Sequence, residues 1–142
     1  MRLFGKDVKV EALKQAPLFE ELSKKELTTL VSATDDLALD PGTVLCREGR
    51  TGTEFFVIVD GEAEVTQGGK KIAALSGGDF VGEIALLTTT KRTATVTATT
   101  PLRCFVLTQS AFRRVLADSP SVQVKVMKSL AERLGHDAEP AP

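Results

Sequence analysis

Three residues close together in the sequence, Gly82, Glu83 and Arg92, are of types suited to binding one sugar and one phosphate. A glycine lets the main chain approach a ligand closely because it has no Cβ. The Glu83 carboxylate can accept hydrogen bonds from sugar hydroxyls, and the Arg92 guanidinium can bind a phosphate through two parallel hydrogen bonds. Their spacing therefore indicates a binding site for a sugar phosphate.

The apolar residues that follow Glu83 predict one helical turn over residues 84–87. The first N–H groups of such a turn, at Ile84 and Ala85, have no acceptor within it and are suited to an anion. Glu83 would repel a phosphate beside it, so it is expected to contact a sugar hydroxyl or to position Arg92. The alternative is an ordinary ion pair between Glu83 and Arg92 at the surface, which would contribute at most about 1 kcal/mol.

The composition is that of one globular domain of 142 residues, with 42% hydrophobic residues and a net charge of −1. No basic excess is available for binding phosphates along DNA or RNA, so a nucleic-acid partner is not expected. The longest apolar runs are far shorter than the roughly 20 residues of a membrane-spanning helix. The N-terminus resembles no secretory signal, so we expect a cytoplasmic protein without a membrane partner.

The histidine and cysteine content argues against several kinds of catalytic site. His136, the only histidine, lies in a polar C-terminal tail, which disfavours a histidine-based triad and a multi-histidine metal site. Cys46 and Cys104 form no CxxC motif and lie in strand-like patterns, so two buried thiols are expected, with a disulfide or a redox role as the alternative. No catalytic residue, metal site or cofactor is predicted.

The surrounding elements read as helices, then many short strands, then helices. A capping box at Ser23–Glu26 begins a helix, and Pro17 separates that helix from a weaker one over residues 8–15. From residue 37 onward, turn signals recur about every eight residues, Gly68-Gly69 indicates a tight hairpin, and residues 93–99 alternate between apolar and threonine positions.

Helical patterns return after Leu107, with Thr108 as a predicted N-cap and Pro120 in the first turn of a last helix. In that helix Val122, Val126, Leu130 and Leu134 form one apolar stripe, with Met127 beside them, and Gly135 is predicted to end it. We therefore predict an α+β, mainly β fold, an eight-stranded β-roll or jelly roll flanked by N-terminal helices and two C-terminal helices. The predicted ranges are a single domain over 1–134, with helices within 8–34, the roll at 37–107, helices at 108–134 and a polar tail at 135–142.

Nearly the whole chain resembles the cyclic nucleotide-binding domain family, which includes protein kinase regulatory subunits, cyclic nucleotide-gated channels and the bacterial catabolite activator. The segments that carry the resemblance are Pro17-Leu-Phe19, Gly42, Glu48-Gly49, Phe55-Phe-Val-Ile58, Gly61-Glu62, Gly77-Gly-Asp-Phe80, Gly82-Glu-Ile-Ala-Leu86 and Arg92-Thr-Ala-Thr-Val96. The last two resemble the phosphate-binding cassette of the family. A cyclic nucleotide presents one sugar and one phosphate, in agreement with the residue types.

The resemblance implies a role for each site residue. Glu83 would bind the ribose 2′-hydroxyl, Arg92 the cyclic phosphate, and the N–H groups near Ala85 and at Ala94 the phosphate oxygens. Val65 and Leu75 would line the base pocket.

Three further positions bear on packing under the cassette and on recognition of the purine. Val81 stands where many relatives have an aromatic residue. Thr93 stands where cAMP-selective members often have alanine, so its hydroxyl could favour cGMP; it is equally an ordinary strand residue. Arg133 could stack on the purine, as in related channels, or be a solvated helix residue.

The sequence therefore predicts a non-catalytic module that binds cAMP, or alternatively cGMP, and repositions its last helix. The length after residue 134 leaves no room for an attached effector, which favours a whole small bacterial protein that acts through a protein partner or through self-association by that helix. Two alternatives are a roll that serves only as a protein-interaction scaffold and a cupin-like enzyme. The lack of a histidine cluster argues against the enzyme.

Overall fold

The computed structural model describes residues 2–138, with side chains described up to residue 132. Its N-terminal part contains α1 (Lys6–Lys14), a 3-10 helix η1 (Pro17–Phe19) and α2 (Lys24–Val31). The predicted capping box begins α2: Ser23 Oγ accepts from the Glu26 N–H, and Glu26 Oε1 accepts from the Ser23 N–H at 2.8 Å.

Ten strands and a second 3-10 helix, η2 (Glu83–Leu86), form the middle of the chain. The strands are β1 (Asp35–Leu39), β2 (Val44–Cys46), β3 (Thr51–Gly52), β4 (Glu54–Asp60), β5 (Ala63–Gln67), β6 (Lys70–Leu75), β7 (Phe80–Val81), β8 (Thr90–Lys91), β9 (Thr95–Ala98) and β10 (Leu102–Thr108). Two four-stranded antiparallel sheets have the orders β1-β10-β4-β7 and β2-β9-β5-β6. The predicted mainly β roll is confirmed.

The strand count differs from the prediction because of one small addition. Eight strands make up the two sheets, and β3 pairs with β8 as a separate antiparallel ribbon. Each strand of this ribbon has only two residues, too few for alternating hydrophobicity to reveal them in the sequence.

Local turn and strand patterns follow the sequence closely. Gly68 and Gly69 connect β5 to β6 with φ angles of 59° and 79°, which only glycine adopts readily at both positions of such a hairpin turn. In β9, Val96 and Ala98 are buried, and Thr95 and Thr97, which alternate with them, are half-buried. The strand therefore presents one face to the core, as its alternation indicates.

Two apolar clusters stabilise the roll. One lies between the two sheets and contains both cysteines, Cys46 and Cys104, which are buried and free. The other joins the helices to the outer face of the first sheet, where Phe19 lies with its ring centroid 6.0 Å from that of Phe55 and 5.8 Å from that of Phe112. Leu18 and Phe19 are both fully buried, so η1 is anchored in the core.

Two helices follow the roll, α3 (Gln109–Asp118) and α4 (Pro120–Ala138). Thr108 caps α3 through its side chain, which accepts from the Ala111 N–H at 3.1 Å. The predicted stop at Gly135 is wrong, since α4 continues through it to Ala138. An interior glycine costs a helix only about 1 kcal/mol, which the hydrogen bonds of the continuing helix can offset.

The α4 helix packs on α3 and η1 through Val122 and Val126, which are 1% and 2% exposed. Leu130 is half-buried, whereas Met127 is 63% exposed and lies off the packed face. The predicted stripe is therefore confirmed as far as Leu130. The side chain of its last member, Leu134, lies outside the described residues.

Polar contacts attach the same helix to α2. The Glu26 carboxylate accepts from Lys125 Nζ at 2.7 Å and from Ser121 Oγ at 2.6 Å. These bonds, with the one from the Ser23 N–H, lower the pKa of Glu26 from 4.5 to about 2.

Candidate functional site

One cavity of about 360 Å³ collects most of the residues that the sequence singles out. Eight of the ten predicted site residues line it: Val65, Leu75, Gly82, Glu83, Ile84, Arg92, Thr93 and Ala94. Its volume is within the usual range for small-molecule sites. A depression of about 300 Å³ lies elsewhere on the surface, and one of about 500 Å³ adjoins the cavity and shares Cys46 and Arg92 with it. The residues of this cavity, and not its size, therefore distinguish it.

Gly82 makes the turn that begins η2. Its φ of 89° lies in the left-handed region, and a Cβ built on it would meet the Glu54 carbonyl oxygen and the Arg92 guanidinium. Both the backbone angle and the close approach therefore require glycine. The short helical turn predicted after Gly82 is confirmed as the 3-10 helix η2.

Glu83 as a whole residue is 9% exposed, and its carboxylate lies at the junction of the cavity with the N-terminal helices. Its Oε2 accepts a hydrogen bond from the Leu18 N–H at 2.7 Å. The sequence analysis did not foresee this bond, because the two residues are 65 positions apart and no local pattern links them. Glu83 is therefore buried and not a solvent-exposed surface residue.

Arg92 follows β8 and reaches the cavity past two glycines. Its Nη2 donates to the Glu54 carbonyl oxygen at 2.6 Å, and its side chain passes so close to Gly52 that a Cβ there would overlap it. Its own N–H donates to the Arg50 carbonyl oxygen at 2.8 Å. The β3–β8 ribbon thus fixes both the main chain of Arg92 and the path of its side chain.

The main-chain donors differ in part from the expectation. The Ala85 N–H donates to the Gly82 carbonyl oxygen at 2.9 Å, because a 3-10 turn pairs residues three apart, so the prediction of an unpaired Ala85 donor is wrong. Ala85 is buried behind the cavity wall. Within the described part of the chain, the N–H groups of Ile84 and Ala94 have no acceptor, and both residues line the cavity.

The far end of the cavity is apolar. Val65 and Leu75 line it from β5 and β6, as the resemblance implies, and Thr93 is exposed at the rim. Six lining residues were not among the predicted site residues: Cys46, Phe80, Val81, Thr90, Lys91 and Val96. Of these, the sequence pointed to Val81 for its place under the cassette and to Cys46 only as a buried thiol. The others could have been found from their places beside the cassette or in the facing strands.

The surroundings of the Cys46 thiol, which lies in the cavity wall, change its pKa in opposite directions. Burial raises the pKa of Cys46, and nearby Arg92 opposes that effect while Glu54 adds to it. The net shift is upward, so the thiol is neutral and inert at neutral pH.

None of the side chains of α4 described in the structure lines the cavity. The side chain of Arg133, the tenth predicted residue, lies outside the described residues, so its stacking on a base stays a prediction. No described helix is long and apolar enough to cross a membrane.

The family described as "Cyclic nucleotide-binding domain" matches residues 37–119 of this chain. Among relatives, a cAMP-dependent protein kinase regulatory subunit of Yarrowia lipolytica is 40% identical over 73% of this chain and 28% of its own length. A cyclic nucleotide-gated potassium channel of Rhizobium etli is 33% identical over 84% of this chain and 33% of its own length. The chain thus spans about a third or less of these relatives.

Solved structures show the same architecture. The N-terminal domain of a transcriptional regulator from Streptomyces coelicolor superposes with a TM-score of 0.83 at 25% identity, over 92% of this chain and 99% of that one. A cyclic nucleotide-binding-like protein from Brucella abortus superposes with a TM-score of 0.72 at 27% identity, over 77% of this chain and 97% of that one. The family match, which spans more than half of the sequence, and the shared fold agree with the cassette geometry: the chain belongs to the cyclic nucleotide-binding domain family.

Proposed function

We propose that this chain binds a 3′,5′-cyclic nucleotide, with cAMP as the expected ligand, and acts as a non-catalytic regulatory module. The observation that carries the proposal is that a guanidinium, a carboxylate and unpaired main-chain N–H groups line one cavity with an apolar end. That set matches the charged phosphate, the hydroxylated sugar and the flat base of one ligand. The relatives named as cAMP-dependent regulatory subunits support cAMP.

Arg92 and Ala94 would bind the phosphate. The guanidinium supplies a full positive charge with paired donors, and the Ala94 N–H adds a neutral donor from the bend just before β9. Glu83 would accept from the ribose 2′-hydroxyl, because a carboxylate oxygen accepts hydrogen bonds from hydroxyl groups. Val65 and Leu75 would contact the base, which suits its apolar faces.

Thr93 bears on which purine is preferred. Its side chain is exposed at the cavity rim, where a hydroxyl could accept from the amino group of a guanine. One such hydrogen bond contributes about 0.5–1.5 kcal/mol, enough to bias selectivity by several-fold without excluding cAMP.

The output of the module would be a repositioning of α4. The helix lies on α2, α3 and η1 in this structure, and its exposed Val124 and Met127 are available for a different partner. When α4 moves over the base, its buried residues would leave the present contacts and become accessible to a protein partner or a second copy of the chain. A cytoplasmic location is part of the same proposal.

The proposal is tested by thermal unfolding and titration calorimetry with cAMP and cGMP in parallel. Ligand at about 100 times its Kd should add about 2.7 kcal/mol of stability, a midpoint shift of about 5–10 °C. Arg92→Ala should weaken binding by about 100-fold, because it removes a charge-assisted pair of hydrogen bonds. Arg113→Ala removes the same charge from an exposed position of α3 and is the matched control.

Each other outcome has a clear meaning. Equal binding by wild type and Arg92→Ala would contradict the phosphate assignment. No midpoint shift with either nucleotide would favour the scaffold alternative, and turnover of cAMP would favour an enzyme. Hydrogen exchange tests the repositioning separately: if α4 exchanges equally with and without cAMP, the repositioning is wrong.

A further inference from the structure

The sugar-binding carboxylate of the proposed site is bonded to a segment outside the part of the chain that the family matches. Glu83 Oε2 accepts from the Leu18 N–H at 2.7 Å, and Leu18 belongs to η1, whereas the family match covers residues 37–119. The bond is buried, and it joins an ionised acceptor to a neutral donor, which makes it one of the stronger kinds of hydrogen bond.

The Leu18 donor is held in a fixed direction. Pro17 precedes Leu18, and its ring restricts the φ of Pro17 to about −65°, which suits the first turn of a helix. The Phe19 N–H donates to the Ala16 carbonyl oxygen, and the Glu20 N–H donates to the Pro17 carbonyl oxygen. The hydrogen bonds of this turn therefore engage its other N–H groups, while the Leu18 N–H donates to Glu83. The Leu18 and Phe19 side chains are fully buried, which prevents η1 from turning.

The Glu83 side chain gains its orientation from this donor. A glutamate has three rotatable side-chain bonds, and ordering it has an entropic cost. A donor on a rigid, buried turn orders the Glu83 side chain before any ligand binds. Part of this entropic cost therefore falls in the folding of the free protein and not in ligand binding. The same hydrogen bond ties the orientation of the Glu83 carboxylate to the position of η1.

We propose that the main-chain N–H of Leu18 is a positioning group for Glu83, so that η1 is a structural part of the sugar-binding half of the site. The inference rests on the proposed function for the identity of the sugar. A bond with a merely structural role would stabilise the N-terminal helices without affecting how the site distinguishes sugars. The ratio of affinities for cAMP and 2′-deoxy-cAMP separates the two roles, because the two ligands differ only at the hydroxyl assigned to Glu83.

Pro17→Gly tests the proposal. It removes the backbone restriction next to Leu18, so the Leu18 N–H is kept but its direction is no longer fixed. The wild type should prefer cAMP over 2′-deoxy-cAMP by about tenfold, and Pro17→Gly should reduce this preference at least about threefold. Pro41→Gly makes the same change in an exposed turn between β1 and β2 and should leave the preference unchanged. An unaltered preference in Pro17→Gly would overturn the positioning role.

A measurement without ligand tests the bond itself and remains decisive if neither nucleotide binds. Amide hydrogen exchange at Leu18 should be slow in the wild type and at least about tenfold faster in Glu83→Ala, which removes the acceptor. Glu83→Gln keeps an acceptor oxygen and should restore much of the protection. Equal exchange in all three proteins would refute the inference. Failure of the wild type to bind either nucleotide, with the Leu18 amide protected as described, would instead refute the proposed function alone.

Discussion

The attachment of α4 to α2 gives a prediction about stability that does not depend on any ligand. Glu26 is the centre of this contact, accepting from Lys125, Ser121 and the Ser23 N–H. The three bonds, with that of Lys125 the largest, lower its pKa from 4.5 to about 2. The carboxylate form is therefore favoured by folding, and Glu26→Gln should destabilise the protein at neutral pH.

The size of the effect follows from the pKa. A fall from 4.5 to about 2 corresponds to roughly 3 kcal/mol at 1.36 kcal/mol per pKa unit. The Lys125 side chain is 38% exposed, so water screens its charge, and we expect about 1–2 kcal/mol. Because the folded-state pKa is depressed, this contribution is fully present above pH 4.5 and is lost as the pH falls towards 2.

The assay is urea unfolding of the wild type and Glu26→Gln between pH 7 and pH 3. The difference in unfolding free energy should be about 1–2 kcal/mol at pH 7 and should shrink below pH 4.5. Glu11→Gln, at an exposed position of α1, is the control and should change stability by less than about 0.5 kcal/mol. A Glu26→Gln difference that is absent at pH 7, or that persists undiminished at pH 3, would refute the reasoning.

Three further predictions concern single side chains. Gly52→Ala should weaken cyclic nucleotide binding at least about tenfold, because the added Cβ would displace Arg92. Gly5→Ala is the control, since a Cβ there meets nothing within 4 Å, and equal affinities of the two variants in calorimetric titrations would contradict the prediction. Ser129→Ala should raise the unfolding free energy by about 0.5–1.5 kcal/mol in urea titrations, because the buried hydroxyl has no hydrogen-bond partner among the described residues. A loss of stability in this variant would contradict the prediction and show that the hydroxyl has a partner. Burial raises the pKa of Cys104 to about 11, so iodoacetamide at pH 7.5 should label it at the rate of global unfolding, measured by mass spectrometry, and faster labelling would contradict its burial.

The local features of the site could be predicted from the sequence because each depends on neighbouring residues. A glycine at the start of η2, the short turn after it and the alternation of β9 are all governed by backbone sterics and by burial of one strand face. The Ser23–Glu26 capping box is likewise complete within four residues. The resemblance then supplied the roles of Val65 and Leu75, which periodicity could not assign.

Features set by very short segments or by small energy differences could not be predicted. The β3–β8 ribbon is too short to have a pattern, and the end of α4 beyond Gly135 reflects a small glycine penalty that the continuing helix exceeds. The pairing of the Ala85 N–H depended on whether the turn would be a 3-10 or an α-turn. For α4 the penalty is only about 1 kcal/mol, too small for residue type alone to decide where the helix ends.

The sequence by itself determined the chemistry of this protein: one carboxylate at Glu83, one guanidinium at Arg92 and a glycine at Gly82 that brings the main chain close. Only the tertiary structure decided how these groups are held. It placed the Leu18 N–H on Glu83 across 65 residues and the Glu54 carbonyl on Arg92 across 38. The physical reason is that residue type and spacing govern local conformation, whereas the direction of a buried side chain depends on which distant segment packs against it.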